Sequence, residues 1–178
     1  MINYDSANTT CIGVAVITDN QQIMISKNDA SQDGKFELHW GYSFKGKDFV
    51  DLPNHTSTAD DIADFNGKTN TEIIKKAYAD YNVAMESDDM CYALEQFNKN
   101  DYSDWYIPAT GQLYEMYQNL DKINASLIAM GGSQFETTKY WSSSESTSGR
   151  AKSFNLYDKD FTGDTKTNNY RVRFVRDL

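Results

Sequence analysis

The spacing of hydrophobic positions changes twice along the chain. The apolar runs 11–17 and 23–25 are separated by the turn residues Asp19-Asn20, which predicts an N-terminal β-hairpin. Between residues 69 and 130, apolar positions recur every three or four residues, as they do on one face of a helix. Four helices are predicted there, and Gly131-Gly132 supplies the backbone conformation expected where the last of them ends.

Near the C-terminus the period shortens to that of a strand. Residues 151–157 alternate loosely, and residues 170–176 alternate apolar with basic side chains, which is typical of a half-buried antiparallel strand. The polar segment 158–169 between them is predicted to be a long hairpin loop. Strands, then helices, then strands indicate an α+β fold. We expect one domain over residues 1–178, with the hairpin within residues 1–35.

Composition and charge exclude several classes of protein. A chain of 178 residues with a net charge of −9 disfavours binding nucleic acid through its phosphates. Residues 1–138 hold 9 basic and 21 acidic side chains, a net of −12. Residues 139–178 hold 8 basic and 5 acidic side chains, a net of +3, and contain all four arginines. The C-terminal segment is therefore predicted to form a mildly basic surface that contacts a partner.

Other signals are absent from the sequence. No apolar run approaches the ~18 residues of a membrane span, so no membrane insertion is expected. The segment Met1 to Asp5 lacks a secretory-signal pattern, which favours a virion protein over an exported adhesin. Cys11 and Cys91 form no zinc pattern, and whether they are bonded stays open. No catalytic set can be assembled from the motifs present, so we expect neither an enzyme nor a cofactor.

Two acidic groups admit a metal-binding interpretation. The segment 158–163 has the ligand spacing of a calcium loop, but the twelfth position is Asn169 instead of a bidentate Glu. A hairpin tip explains it better. Asp60, Asp61 and Asp64 form a cluster, but acidic residues are ordinary in the first turn of a helix. We therefore predict no metal site.

The run Tyr140-Trp141-Ser142-Ser143-Ser144-Glu145 has two aromatic residues that can anchor a strand in the core. Its hydroxyl groups lead into the small and polar segment 146–150. One interpretation is an ordinary surface loop. The other is an adaptable recognition loop, because Ser, Gly, Asn and Tyr are the residue types that binding loops favour.

These motifs resemble a known family. The segment 104–115, which reads DWYIPATGQLYE, resembles the W-x-L-P-[ST]-x-x-E-L segment of bacterial and phage C-type-lectin-fold domains. Gly131-Gly132, the run YWSSSE at 140–145 and VRFVR at 172–176 resemble the tail of the same domains. The chain is thus similar to the variable proteins of diversity-generating retroelements and to Fibrobacter-type paralogous domains.

The resemblance implies a C-type lectin fold, in which helices pack on a small, mainly antiparallel sheet. It also implies a variable, ligand-facing region at 139–178. The calcium-binding pattern of lectins is absent, so calcium-dependent sugar binding is not implied. The catalytic cysteine pair of the related formylglycine-generating enzymes is not matched by Cys11 or Cys91. The implied function is therefore a non-enzymatic ligand-binding or receptor-binding protein that displays a diversified surface.

The predicted contacts lie in the C-terminal region and combine Tyr and Arg anchors with Ser, Thr and Asn hydrogen-bonding groups. They are Ser146, Thr147, Ser148, Arg150, Lys152, Asn155, Tyr157, Lys159, Asp160, Thr167, Asn168, Asn169, Tyr170 and Arg171. The expected partner is a cell-surface protein or glycan receptor, and the expected location is a phage virion or, alternatively, the bacterial cell surface. Two alternatives stay open: a structural virion or pilus-tip module whose tail packs in a homo-oligomer, and an enzyme that shares the fold.

Overall fold

The computed structural model describes residues 11–49, 51–100 and 103–178, with the side chain of Asn100 excluded. The strands in these residues are β1 Gly13–Ile17, β2 Gln22–Ser26, β3 Leu38–His39, β4 Lys139–Thr147, β5 Arg150–Asn155, β6 Asp160–Thr165, β7 Asn169–Tyr170 and β8 Val175–Asp177. The α-helices are α1 Thr58–Ala63, α2 Gly67–Asp80, α3 Met90–Asn100, α4 Thr110–Gln118 and α5 Leu120–Ala129. The predicted α+β class is confirmed.

The strands of the described residues form three small antiparallel sheets, with orders β1-β2-β8, β3-β7 and β4-β5-β6. The α-helices lie between β3 and β4 in the chain, as the helical spacing predicts, although α1 is a short helix that the spacing does not reveal. No helix in this part of the chain is both long and apolar enough to cross a membrane. The predicted boundaries of the domain partly concern residues 1–10, which lie outside the described residues.

Strand β4 lies at the centre of the fold and is hydrogen-bonded on both of its edges. One edge pairs with β5. On the other edge, the Trp141 amide donates to the carbonyl of Arg171 (2.9 Å), the Ser143 amide donates to the carbonyl of Pro108 (2.8 Å), and the carbonyl of Glu145 accepts from the His55 amide (3.0 Å). Residues 140–145 are buried along their whole length, so Tyr140 and Trp141 anchor a strand in the core, as the sequence indicates.

Two tryptophans join β4 to the segment around β3. Trp40 and Trp141 are both fully buried. The Nε1 of Trp40 donates to the carbonyl of Ser142 (2.8 Å), and the Nε1 of Trp141 donates to the carbonyl of Leu38 (2.9 Å). Each indole therefore fills the core and satisfies its one polar group at the same time, as a buried tryptophan requires. This exchange fixes β3 against β4.

The predicted loop at 158–169 is wrong for its middle part, because residues 160–165 form strand β6. Phe161 packs against Phe154 of β5, with ring centroids 4.8 Å apart, and Thr162 pairs with Ser153. Only residues 156–159 form the turn. The strand escapes prediction because Phe161 is its only large apolar residue, so its sequence shows no repeated alternation of apolar and polar positions.

Gly111 in α4 allows this helix to approach the segment that ends α1. A Cβ atom on Gly111 would lie 2.6 Å from the carbonyl oxygens of both Ile62 and Asp64. Alanine normally stabilises a helix relative to glycine by about 1 kcal/mol. We expect Gly111→Ala to lower the free energy of unfolding by about 1 to 3 kcal/mol instead, because the backbone must shift to relieve the overlap.

Urea denaturation measures this change. The control is Ser126→Ala in α5, where the hydroxyl donates only to the Lys122 carbonyl of its own helix. This control should change the stability by less than about 0.5 kcal/mol. A Gly111→Ala variant as stable as the wild type would contradict the close packing of α4 on α1.

Candidate functional site

The predicted contact residues occupy different parts of the β4-β5-β6 sheet and its surroundings. The tip of the β4–β5 hairpin and the adjoining loop carry Ser146, Thr147, Ser148, Arg150 and Thr167. The β5–β6 turn carries Tyr157 and Lys159. The face of the sheet, together with β7 and the residues beside it, carries Asn155, Asp160, Asn168, Asn169, Tyr170 and Arg171. Because β5 has six residues, its two ends lie about 17 Å apart. One small ligand therefore cannot contact the whole set.

The tip of the β4–β5 hairpin is held against a neighbouring loop. The Ser148 hydroxyl donates to the carbonyl of Gly46 (3.0 Å), and the Gly149 amide donates to the carbonyl of Lys47 (3.0 Å). Gly149 has a φ of 75°, a left-handed conformation that favours glycine. The guanidinium of Arg150 donates to the carbonyl of Gly163 in β6 (2.9 Å). The tip is therefore anchored, in contrast to the flexible loop that its composition predicts.

One face of the sheet is polar and centred on Asp164 of β6. The Asp164 carboxylate accepts from the Lys139 ammonium (2.8 Å) and from the hydroxyls of Ser153 (2.7 Å) and Thr162 (2.6 Å). Partial burial raises the pKa of Asp164, but these donors outweigh it and hold that pKa below its ordinary value. We call Lys139, Ser153, Thr162, Asp164 and the neighbouring Tyr170 the polar face.

Sequence reasoning identified only Tyr170 in the polar face. Its ring packs on Trp141 with centroids 4.6 Å apart, and the Lys139 ammonium lies 5.1 Å from the ring centroid. Strand alternation places Asn155 and Asp160 on this same side of the sheet as Ser153 and Thr162. The missed residues could have been found from that alternation once β6 was recognised as a strand.

A groove of about 460 Å³ lies beside β7. Asn169 and Arg171 line it together with Phe36, whose side chain is 47% exposed. The Arg171 guanidinium lies 5.5 Å from the centre of the Phe36 ring and also binds Asp29 (2.8 Å). We call this the Phe36 groove. The groove combines an exposed aromatic ring, a guanidinium held in place by an ion pair, and an amide, which are groups that recognise ligands.

Lys152 is not available for contact in this structure. It lies on the opposite side of β5 from Ser153, it is 7% exposed, and its ammonium binds the Asp61 carboxylate (2.9 Å). Ser146 is also nearly buried. A Lys on a partly exposed strand was expected to face solvent, but its pairing with a distant carboxylate draws it inward.

The acidic cluster before Phe65 divides into two kinds of residue. Asp60 caps α1 together with Ser57, as the helix-turn interpretation predicts. Asp61 also lies in the first turn of α1 but is buried, and the interpretation is wrong for Asp64, which is buried at the end of this helix. They lie on either side of His55, whose Nδ1 is 3.1 Å from Asp61 and whose Nε2 is 3.4 Å from Asp64. Together with Lys152 they form a buried polar network under the sheet.

The prediction of a basic C-terminal surface is wrong. Six of the eight basic side chains in residues 139–178 form ion pairs with carboxylates: Lys139, Lys152, Lys166, Arg171, Arg173 and Arg176. Four of these six bind acids from residues 1–138, including Asp29, which binds both Arg171 and Arg173. Most of the ion pairs between the two segments therefore lie inside the fold.

No group of three or more His, Cys, Asp or Glu side chains among the described residues is placed to hold a metal ion. Cys11 and Cys91 are not bonded to each other. Cys91 is fully buried, and burial raises the pKa of its thiol, which disfavours the reactive thiolate.

The Glu145–Lys166 ion pair is fully buried. The ammonium also donates to the carbonyl of Lys47 (2.9 Å) and lies 4.1 Å from the ring centroid of Phe49, whose amide donates to Glu145 (3.1 Å). Burial raises the pKa of Glu145 and lowers that of Lys166, and the ion pair opposes both shifts. The pair fixes the loop near residue 47 against the end of β4.

Removing one partner of this pair leaves the other charge buried without compensation. We expect Lys166→Met and Glu145→Leu each to lower the free energy of unfolding by about 3 to 5 kcal/mol. The double variant should cost much less than the sum, because neither charge then remains. A urea-denaturation double-mutant cycle measures the coupling, and additive effects of the two changes would contradict the pairing. The exposed pair Lys76–Asp80 is the control, with an expected coupling below about 1 kcal/mol.

No protein-family model matches the chain, and no curated protein matches it. Among solved structures, the chain is similar to the crystal structure of a fimbrial protein from Bacteroides ovatus ATCC 8483, determined at 1.85 Å resolution. The TM-score is 0.67 at 16% sequence identity, over 88% of this chain and 36% of the fimbrial protein. The chain thus spans about a third of the length of that protein and shares the fold of this part.

Proposed function

We propose that the chain is a non-enzymatic binding module displayed at a bacterial cell surface. The fold similarity to a fimbrial protein over 88% of the chain carries this proposal. It favours the bacterial surface, the alternative location inferred from the sequence, over the virion. The YWSSSE and VRFVR motifs support a closer placement among C-type-lectin-fold domains, with helices packed against small antiparallel sheets.

The polar face and the adjoining Phe36 groove form the proposed contact surface. Lys139 and Asp164 are partly exposed and already bonded to each other, and Tyr170 is supported from below by Trp141. Side chains held in this way lose little conformational freedom when a ligand binds. Aromatic rings and hydrogen-bonding groups, without a net basic field, suit a protein or glycan receptor. Retroelement-driven diversification of residues 139–178 belongs to this proposal and rests on the resemblance of the sequence.

A second candidate function is a packing role within a fimbrial assembly, with the same surface buried against another subunit. The matched region is 36% of the fimbrial protein, so in that protein this fold accompanies further segments. A module in such a fibre contacts its neighbours through a constant surface. Multimers that form in solution without any added ligand would favour this function over receptor binding.

The test compares wild type with a groove variant on glycan and bacterial surface-protein arrays. The groove variant is Phe36→Ala with Asn169→Ala, which changes two exposed residues. The control is Ile128→Ala with Lys122→Ala, two exposed residues of α5 that belong neither to the polar face nor to the Phe36 groove. We expect the groove variant to bind the wild-type ligand at least about tenfold more weakly, which corresponds to about 1.4 kcal/mol, and the control to bind normally.

Equal binding by the groove and control variants would contradict the proposed contact surface. A wild-type chain that binds nothing on either array and sediments as a multimer, which the groove variant dissociates, would favour the packing function. A near-identical template repeat beside a reverse-transcriptase gene, differing at adenines, is the expected genomic sign of diversification. If both the template repeat and the reverse-transcriptase gene are absent, the proposed diversification is contradicted, but the proposed binding function is not.

A further inference from the structure

His55 is a buried residue with a carboxylate beside each of its two ring nitrogens. Its Nδ1 lies 3.1 Å from Oδ1 of Asp61, and its Nε2 lies 3.4 Å from Oδ2 of Asp64. Only the doubly protonated imidazolium carries a hydrogen on both nitrogens and can donate on both sides. In either neutral form, one bare nitrogen lies beside a carboxylate oxygen, and the two acceptors repel each other.

The contacts of Asp64 require it to act as an acceptor. Its Oδ2 accepts from the Ser144 hydroxyl (2.7 Å) and from the Nδ2 of Asn70 (3.0 Å), and its Oδ1 accepts from the Asn66 amide (2.9 Å). An ionised carboxylate is an acceptor only, so it suits these three donors. The proton shared between His55 and Asp64 therefore belongs on the imidazole.

The charge of this buried network balances only with an imidazolium. Asp61 and Asp64 contribute two negative charges, and the ammonium of Lys152 on β5, 2.9 Å from Asp61, contributes one positive charge. The network is thus left with a net charge of −1 when His55 is neutral, and with none when it is protonated. A buried charge without compensation is strongly unfavourable.

The other described groups near the ring do not alter this balance. Glu145, on β4, is paired with Lys166, and Asp60 of α1 is exposed. The remaining polar side chains of the network are uncharged: Asn70 on α2, Thr110 on α4 and Ser144 on β4.

We propose that His55 is a proton-dependent clasp between α1 and the β4–β5 hairpin. With two protons on its ring, it joins Asp61 and Asp64, which bind Lys152 of β5 and Ser144 of β4. Its backbone amide also donates to the carbonyl of Glu145 (3.0 Å), so the clasp lies against the end of β4. Loss of one ring proton leaves an unbalanced buried charge, which weakens the docking of α1.

The clasp ties the stability of the fold to pH. The imidazole of an unfolded chain loses its proton at about pH 6.5, whereas the folded chain retains it in the clasp. Above that pH the folded state binds one more proton than the unfolded state, so stability falls as the pH rises. One proton raises the unfolding equilibrium constant about tenfold for each pH unit, until the folded chain also loses it. The clasp is independent of the proposed function, because its residues belong neither to the polar face nor to the Phe36 groove.

NMR of the imidazole nitrogens tests the protonation state directly, and the chain has only two histidines to assign. We expect both ring nitrogens of His55 to be protonated at about pH 7.5, above the value for an ordinary imidazole. Asp64→Asn removes one buried negative charge, so its His55 should be neutral at the same pH. Asp60→Asn is the matched control, because this exposed carboxylate of α1 binds Thr56 and Ser57 instead. Its His55 should stay doubly protonated.

Urea denaturation between about pH 6 and pH 9 measures the linkage. We expect the wild type and Asp60→Asn to lose stability as the pH rises, by about tenfold in the unfolding equilibrium constant per pH unit relative to Asp64→Asn. This comparison uses slopes, so it holds even where Asp64→Asn is less stable at every pH. A wild-type His55 with one bare nitrogen at about pH 7.5 overturns the proposal. Equal slopes for the wild type and Asp64→Asn, or a neutral His55 in Asp60→Asn, overturn it as well.

Discussion

The burial of polar side chains on β4 is the constraint on which the rest of the structure depends. Ser142, Ser144 and Glu145 are all at most 1% exposed, and a buried polar group without a partner is strongly unfavourable. The Ser142 hydroxyl donates to the carbonyl of Lys152 in β5 (2.8 Å), and the Ser144 hydroxyl donates to Asp64 after α1 (2.7 Å). Glu145 binds Lys166 after β6 and the amide of Phe49. Satisfying these three side chains thus positions four separate segments.

The same constraint explains the uneven charge of the chain. Acidic side chains of residues 1–138 and basic side chains of residues 139–178 form buried or half-buried ion pairs. These ion pairs hold the two segments together. Arg173 is the most buried example, and it also donates to the carbonyls of Lys27, Ser133 and Gln134. The polar face and the Phe36 groove are left with hydrogen-bonding groups, aromatic rings and charges that are already paired. Such a surface discriminates by shape and short-range bonding more than by long-range attraction.

The sequence was informative where one face of an element is apolar, and less so elsewhere. The helical middle and the α+β class follow from apolar spacing, as in α4, where Leu113 and Met116 face the core. Strand β6 was missed because Phe161 is its only large apolar residue, so neither of its faces shows a repeated apolar position. The burial of Lys152 was missed because its partner Asp61 is 91 positions away, a separation that local patterns do not encode.

The proposed contact surface shows the same limit. Asn169 and Arg171 were identified from their residue types. The groove that they line also requires Phe36, which lies in a distant part of the chain. Composition therefore indicated residue types suited to contact, and only the tertiary structure brings them together with Phe36.

Native-state hydrogen exchange of β4 tests the central claim most directly. The amides of Trp141 and Ser143 donate to carbonyls outside the β4–β5 pairing, so their release requires separating β4 from the segments that cover it. The account predicts that both amides exchange only through global unfolding, with the same free energy as urea denaturation gives. Exchange of these amides at the rate of the exposed residues Thr147 and Ser148, with the remaining core still protected, would contradict the claim that β4 holds the structure together.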